Sequence, residues 1–268
     1  MLNDITIGQF FPGNSVIHRM DSRFKIILDI VYVVMLFIAD NFYGLGIACV
    51  FMVMVYAVSD ISFSLILKSL KPVLPIILFT AILNLIFVKG EGDPLVSLWV
   101  INIYQKGIET SLFMIIRIVF LIIGMSLLTY TTSPIVLTDA IESLLSPLKK
   151  LHFPVHELAM MMTIALRFIP TLIEETNKIM MAQKARGASL DTGGIIKRAK
   201  AMIPILIPLF ISAFKRANEL ATAMECRCYR GGEGRTKLRQ LKATKLDFFA
   251  SGLTLCVLGI IIINNIVF

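Results

Sequence analysis

From Ser111 to Tyr130 the chain runs for twenty residues with a single charge, Arg117, and a stretch this long and this apolar is suited to a lipid bilayer. It is not alone. Segments of spanning character occur at Phe24–Ala39, Phe42–Val58, Pro72–Val88, Ile108–Tyr130 and Leu246–Phe268. The first two are short, and only Asp40-Asn41 lies between them, enough for a tight turn. Composition agrees: 57% of the 268 residues are hydrophobic and 16% are charged, where a soluble domain has about 45–50% apolar and about 25% charged residues. The reading is an all-α integral membrane protein with about five transmembrane helices.

Charge placement sets the direction of the chain. Arg19, Arg23 and Lys25 precede the first span, Lys68 and Lys71 lie between the second and third, and 18 of the 26 Lys and Arg residues fall between Thr131 and Lys245. The opposite connections carry little positive charge, with Lys89 and Lys106 offset by Glu91, Asp93 and Glu109. By the positive-inside rule the N-terminus is cytoplasmic and the C-terminus is outside. The net charge of +8 is then a retention signal at the membrane, and nucleic acid is not an expected partner. Four domains follow: 1–23, a cytoplasmic N-terminal segment; 24–130, four spans; 131–245, a cytoplasmic region; and 246–268, the last span.

Single residues add less. Met1–Asp21 has no apolar core and does not read as a cleavable signal. Arg117 must face the bundle or a polar cavity, either bonding helix carbonyls or a carboxylate, or lining a solute path; the structural role is favoured because a lone charge makes a poor pathway. Asp29, four residues after Lys25, fits an i,i+4 pair near the membrane surface. Cys49, Cys226, Cys228 and Cys256 form no disulfide framework, and with His18, His152 and His156 they offer no metal spacing, so neither a metal site nor catalytic residues are expected.

Between Thr131 and Lys245 the pattern changes. A short helical stretch, Ile135–Leu148, leads to Pro147 and Pro154, which bracket a turn holding Lys149 and Lys150. One long helical pattern follows from Val155 to about Ala185, interrupted at Pro170. After breaks at Gly187 and Gly193-Gly194, another runs from Ile195 to about Tyr229, with Pro204 and Pro208 in its apolar part. The run Ala201–Phe214 gives only about 21 Å of helix against a core of about 30 Å, and Arg167 interrupts Leu158–Ile173. These helices are expected to lie along the cytoplasmic half of the membrane with the apolar side down. They also echo each other: Ala182-Gln183-Lys184-Ala185-Arg186-Gly187 resembles Ala223-Met224-Glu225-Cys226-Arg227-Cys228, displaced by 41 residues. A cation near a helix C-terminus is ordinary. Two matched copies point instead to two similar receptor grooves on a dimeric or pseudo-dimeric partner.

These residues carry a resemblance. With Gly8-Gln9-Phe10, Pro12, Ser15, His18-Arg19-Met20-Asp21, Arg23 and Lys25 as the opening signature, and the two arginine motifs in order, the chain resembles the transmembrane T component of energy-coupling factor transporters. Cys226 and Cys228 depart from the usual Ala and Gly, which leaves two places for the second helix to end, at the motif or at Gly231-Gly232. The resemblance implies a non-catalytic scaffold in the bacterial cytoplasmic membrane, with long coupling helices. It implies two ATPase partners, met through Ala185, Arg186 and Gly187 on one helix and Cys226, Arg227 and Cys228 on the other. A separate membrane subunit for vitamin or micronutrient binding would rest on Met160, Met161, Met162, Ile205 and Leu209. No cofactor is expected in this chain, since ATP and Mg would sit on the ATPases. The residues agree, because the chain lacks a Gly-x-x-x-x-Gly-Lys-Ser/Thr loop. Methionines at 160–162 also suit ordinary packing. The alternative is a secondary transporter binding its own solute, which would need several polar groups deep in the spans. Arg117, with Asn84 as a weak companion, is all the sequence offers. A membrane-embedded enzyme would rest on Glu174, Glu175 and His156, which is thinner still.

Overall fold

The computed structural model describes residues 10–90, 96–98, 101–151, 153–188, 194–231 and 241–267. Gly8, Gln9, Glu91, Asp93, His152, Gly193, Gly232 and Phe268, singled out above, lie outside them. The described chain is helical apart from a small antiparallel hairpin, β1 (Val96–Leu98) and β2 (Ile101–Ile103), between the third and fourth predicted spans. It divides into two compact units: a bundle unit, Gly8–Ala140 with Leu241–Phe268, and a two-helix unit, Ile141–Gln240.

In the bundle unit, α1 (Val16–Arg19) leads into α2 (Ser22–Ile38), α3 (Phe42–Val58), α4 (Phe63–Leu70), α5 (Leu74–Phe87), α6 (Gln105–Thr131) and, after the other unit, α10 (Lys245–Val267). The five long helices stand where the apolar runs predict them. Polar side chains fix their relative directions. Lys25 meets the Thr131 carbonyl at 3.0 Å and Arg117 meets the Ala39 carbonyl at 2.6 Å, so α2 and α6 are antiparallel. The Asp21 amide donates to Asp247 at 2.9 Å, and Asn265 donates to the Ile38 carbonyl at 2.5 Å, so α2 and α10 are parallel. The ends of α2 and α10 therefore lie together, opposite Lys25. Tyr32, Met35 and Leu36 of α2 pack with Leu45 and Met52 of α3, Ile123 and Leu127 of α6, and Ile261 of α10.

Two details depart from the expected pattern. The third predicted span is preceded by α4, bent by 62° from α5 across Lys71–Val73, so the pair is a broken span or a re-entrant loop rather than one straight helix. The Lys25–Asp29 pair does not form. Lys25 instead donates to the Thr131 carbonyl and to Thr132 Oγ1 at 3.2 Å, because the end of α6 presents free carbonyls where Asp29 would require the side chain to turn back along α2. Asp29 lines an apolar cavity of about 360 Å³ beside Met20, Tyr32, Leu127 and Phe249.

The two-helix unit holds α8 (Val155–Ala185) and α9 (Ile195–Cys226), with α7 (Pro134–Leu145) and a 3₁₀ turn at Ser146–Leu151 leading into it. Pro170 does not interrupt α8: the helix runs through it and through Arg167. One proline removes one intrahelical bond, here to the Leu166 carbonyl, and the turns on either side keep theirs. Continuity makes α8, like α6 and α10, long and apolar enough to cross a membrane by length and composition, which the broken reading excluded. By the same test α4 and α5 together form a fourth candidate, and α3 is apolar but has 17 residues.

Candidate functional site: two matched helix tips

Both long helices end in the same backbone figure. At the end of α8 the Gly187 amide donates to the Lys184 carbonyl at 3.0 Å, and the Ala188 amide reaches five residues back to Gln183 at 3.0 Å. At the end of α9 the Cys228 amide donates to the Glu225 carbonyl at 2.8 Å, and the Tyr229 amide reaches back to Met224 at 3.0 Å. This pair of bonds is the Schellman cap, and it needs a left-handed residue just past the helix. Gly187 (φ 87°) takes that place in one tip and Cys228 (φ 54°) in the other. The helix therefore ends at the motif, not at Gly231-Gly232. Sequence reasoning weighed the glycine pair because cysteine lacks glycine's freedom at positive φ.

The caps aim the residues that precede them. Arg186 (φ −82°, ψ 5°) and Arg227 (φ −92°, ψ 13°) hold nearly the same backbone conformation, and both side chains are exposed. Among the described residues neither guanidinium has a hydrogen-bonding or ionic partner. Ala185, Cys226 and Cys228 are exposed beside them.

Behind the tips the two helices pack antiparallel. Glu175 accepts from Ser212 Oγ and from Arg216, each at 2.6 Å, and Gln183 reaches the Pro204 carbonyl at 3.5 Å. Residues 175 and 216 are themselves 41 apart, the interval that relates the tips. The ion pair thus joins equivalent positions of the two helices, and each arginine stands eleven residues beyond it. At the start of α8, His156 meets Glu142 of α7 at 3.0 Å.

One face of α9 is an exposed apolar row: Ile203, Ile207, Phe210, Ile211 and Phe214, with the Phe210 and Phe214 rings in tilted contact, centroids 4.8 Å apart. On α8, Met161 and Met162 are exposed and Met160 is half-buried. Leu209 is also half-buried, whereas Ile205 is 4% exposed and is withdrawn from the contact set. It points away from the 203/207/210/214 row, as helical spacing requires.

Arg117 belongs to the bundle unit. It donates to the Ala39 carbonyl at the C-terminus of α2 and lies over the Phe113 ring at 4.6 Å, and the apolar cavity does not include it. Sequence reasoning missed a polar cluster at the other end of the bundle, around Asp21, Arg23, Lys25, Thr244 and Asp247. Its available signal was Thr-x-x-Asp at 244–247, the spacing of a helix-start capping box. Burial alone would raise the Asp21 carboxyl, but hydrogen bonds from Arg23 and the charges of Arg23 and Lys25 hold it below its ordinary value.

A bundle with apolar helices, joined in sequence to a basic helical pair with exposed tips, has the form of a membrane transport component. The sequence pattern of the cobalt transport protein family matches residues 13–238, which take in both tips. Over nearly its full length the chain is also similar to proteins called energy-coupling factor transporter transmembrane protein EcfT. It is 53% identical to that of Clostridium kluyveri over 264 residues (98% of this chain, 97% of the relative) and 51% identical to that of Ruminiclostridium cellulolyticum over 269 residues (all of both). With that of Bacillus subtilis it shares 47% over 247 residues (92% of this chain, 93% of the relative). The chain belongs to the EcfT family and is a multi-pass bacterial membrane protein.

Proposed function

We propose that the chain is the transmembrane scaffold of an energy-coupling factor transporter, carrying ATP-driven motion of two cytoplasmic ATPase subunits to a separate membrane subunit that binds a vitamin or micronutrient. The observation that carries this reading is the matched pair of tips. The same cap, the same arginine conformation and the same distance from the Glu175–Arg216 pair recur at both. Two equivalent keys suit two equivalent locks. The antiparallel packing also separates them: Arg227 lies 23 residues past Pro204, about 35 Å of helix, and Arg186 lies beyond Gln183 in the opposite direction.

On this reading the chain binds no cofactor; ATP and Mg belong to the ATPases, which face the cytoplasm together with the N-terminus and the tips. The exposed row on α9, with Met161 and Met162 of α8, receives the substrate-binding subunit. Rows of this kind are rarely left open to water. A solute site within this chain has little support, since the bundle cavity is lined almost wholly by apolar side chains.

The test is the Arg186→Ala, Arg227→Ala double variant, co-expressed with the ATPases. Expected is loss of ATPase co-purification, or hydrolysis retained with uptake reduced at least about tenfold. Normal assembly together with normal uptake would refute the proposal.

A further inference from the structure

The chain runs on from α6 toward the two-helix unit and returns to the bundle unit before α10, and the first turn of α2 with the segment before it holds both passages. On the outgoing side Lys25, only 7% exposed, donates to the Thr131 carbonyl and Thr132 Oγ1, while the Phe11 amide donates to the Tyr130 carbonyl at 3.0 Å. On the returning side Arg23 donates to the Leu241 carbonyl at 3.1 Å, and the Asp21 amide donates to Asp247 Oδ1 at 2.9 Å. Asp247 is fully buried.

Part of this is ordinary helix capping. Asp21 caps α2 through the Arg23 amide at 2.9 Å, and Asp247 Oδ2 accepts from the Thr244 amide at 2.6 Å in a capping box for α10. The remaining bonds are not required by any cap. Asp247 Oδ1 turns away from its own helix to the backbone of Asp21, Arg23 adds a bond to Leu241 beyond its bidentate grip on Asp21 (2.8 Å at the closest), and Lys25 leaves α2 for the end of α6. Two carboxylates and two cations thus meet at one end of the bundle. Such groups are costly to bury unless fully paired, and here the pairing runs between chain segments remote in sequence.

We infer that Asp21, Arg23 and Lys25 form a joint that ties the outgoing passage at Thr131–Thr132 to the returning passage at Leu241–Asp247, so that α6 and α10 receive any force from the two-helix unit together. They are positioning residues, acting through α6 and α10. The inference rests on the proposed coupling role for its consequence, though not for the joint itself.

Hydrogen exchange on the chain in its assembled complex with ATPase and substrate-binding subunits tests both. Lys25→Met removes the bonds to Thr131 and Thr132 on the outgoing side and a long one to the His18 carbonyl at 3.5 Å, and no hydrogen bond on the returning side. A joint acting as one body makes the first turns of α10 exchange at least about fivefold faster in this variant, as well as the end of α6. A set of independent caps confines the change to α6 and the N-terminal segment, and that result overturns the inference. Thr132→Val, which leaves the Thr131 carbonyl in place, gives a smaller change in the same two places and serves if Lys25→Met assembles poorly; a change confined to α6 counts against the joint here too. Adding ATP separates the two ideas. In the wild-type complex ATP alters exchange at the end of α6 and the start of α10 together, and in Lys25→Met at only one of them. If ATP alters neither in the wild type, the coupling role fails while the joint is judged on the first result. If Lys25→Met retains both responses, the joint fails and coupling stands.

Discussion

The two units solve the problem of holding long helices in opposite ways. In the bundle unit each long helix buries a stripe against neighbours: Tyr32, Met35, Leu36, Leu45 and Ile261 are almost wholly enclosed. In the two-helix unit α8 and α9 have 31 and 32 residues, yet Val155, Ala159 and Ile205 are the apolar side chains buried along them among the described residues. Their length is carried mainly by their own backbone hydrogen bonds, one antiparallel contact and the caps. Tertiary burial ordinarily supplies most of a helix's stability, so these two helices are built to be completed by something else, bilayer or protein. One unit keeps its shape by packing; the other presents surface.

Gly124 gives the sharpest way to break that contrast. A methyl group there would stand 2.7 Å from the Tyr32 ring and 3.1 Å from Met52 Cε, inside the packed part of the bundle. Gly124→Ala should cost about 1–3 kcal/mol and lower the thermal midpoint of the detergent-purified chain. Phe210→Ala, on the open face of α9, should change the same midpoint by less than about 0.5 kcal/mol in free energy. Equal effects would show that the two units are not packed differently.

A smaller effect is expected at the first tip. Gly187 has a left-handed backbone, and a methyl group there would meet nothing within 4 Å, so Gly187→Ala acts through backbone strain alone. The expected cost is about 1 kcal/mol, read as exchange of the Ala188 amide roughly fivefold faster, while the bundle amides stay unchanged. A change that spread into the bundle would mean the tips are not local structures.

Acid separates the units by chemistry. Asp21 is depressed by its partners, so its contribution is present above the ordinary carboxylate value of 3.8 and is lost as pH falls below that through the folded-state value. Asp21→Asn should therefore be less stable than the wild type at pH 7, and the gap should shrink at pH 3. A gap of the same size at both pH values would remove the charge from the explanation.

What the sequence made legible follows the same division. The five bundle helices could be placed because lipid demands long apolar runs, and the run itself is the signal. Arg186 and Arg227 could be picked out because a repeat needs only comparison of the chain with itself. The polar joint was hidden, since Asp21 and Asp247 are separated by most of the chain and nothing local announces that one amide seeks the other's carboxylate. Lys25 was assigned to Asp29 for a related reason: helical spacing finds neighbours on one helix and is blind to the carbonyls at the end of another. Ile205 shows the same limit, since the apolar run around it gives no sign of which side is covered.

The second tip supplies the finest comparison, because it performs the task of the first with a residue ill suited to it. Cys228 holds φ at 54°, where an L-residue's Cβ crowds the following carbonyl at a cost of roughly 1–2 kcal/mol. Glycine would remove that crowding but add freedom to the unfolded chain worth roughly 0.4–1 kcal/mol. The balance favours Cys228→Gly by about 0.5 kcal/mol, which should slow exchange of the Tyr229 amide by roughly twofold. The sign is opposite to that at Gly187, and the two substitutions together test whether the caps are equivalent: each tip should be firmer with glycine in the left-handed place. If Cys228→Gly instead speeds exchange, the cysteine side chain is making a contact that steadies its tip, and the two tips are alike in backbone only.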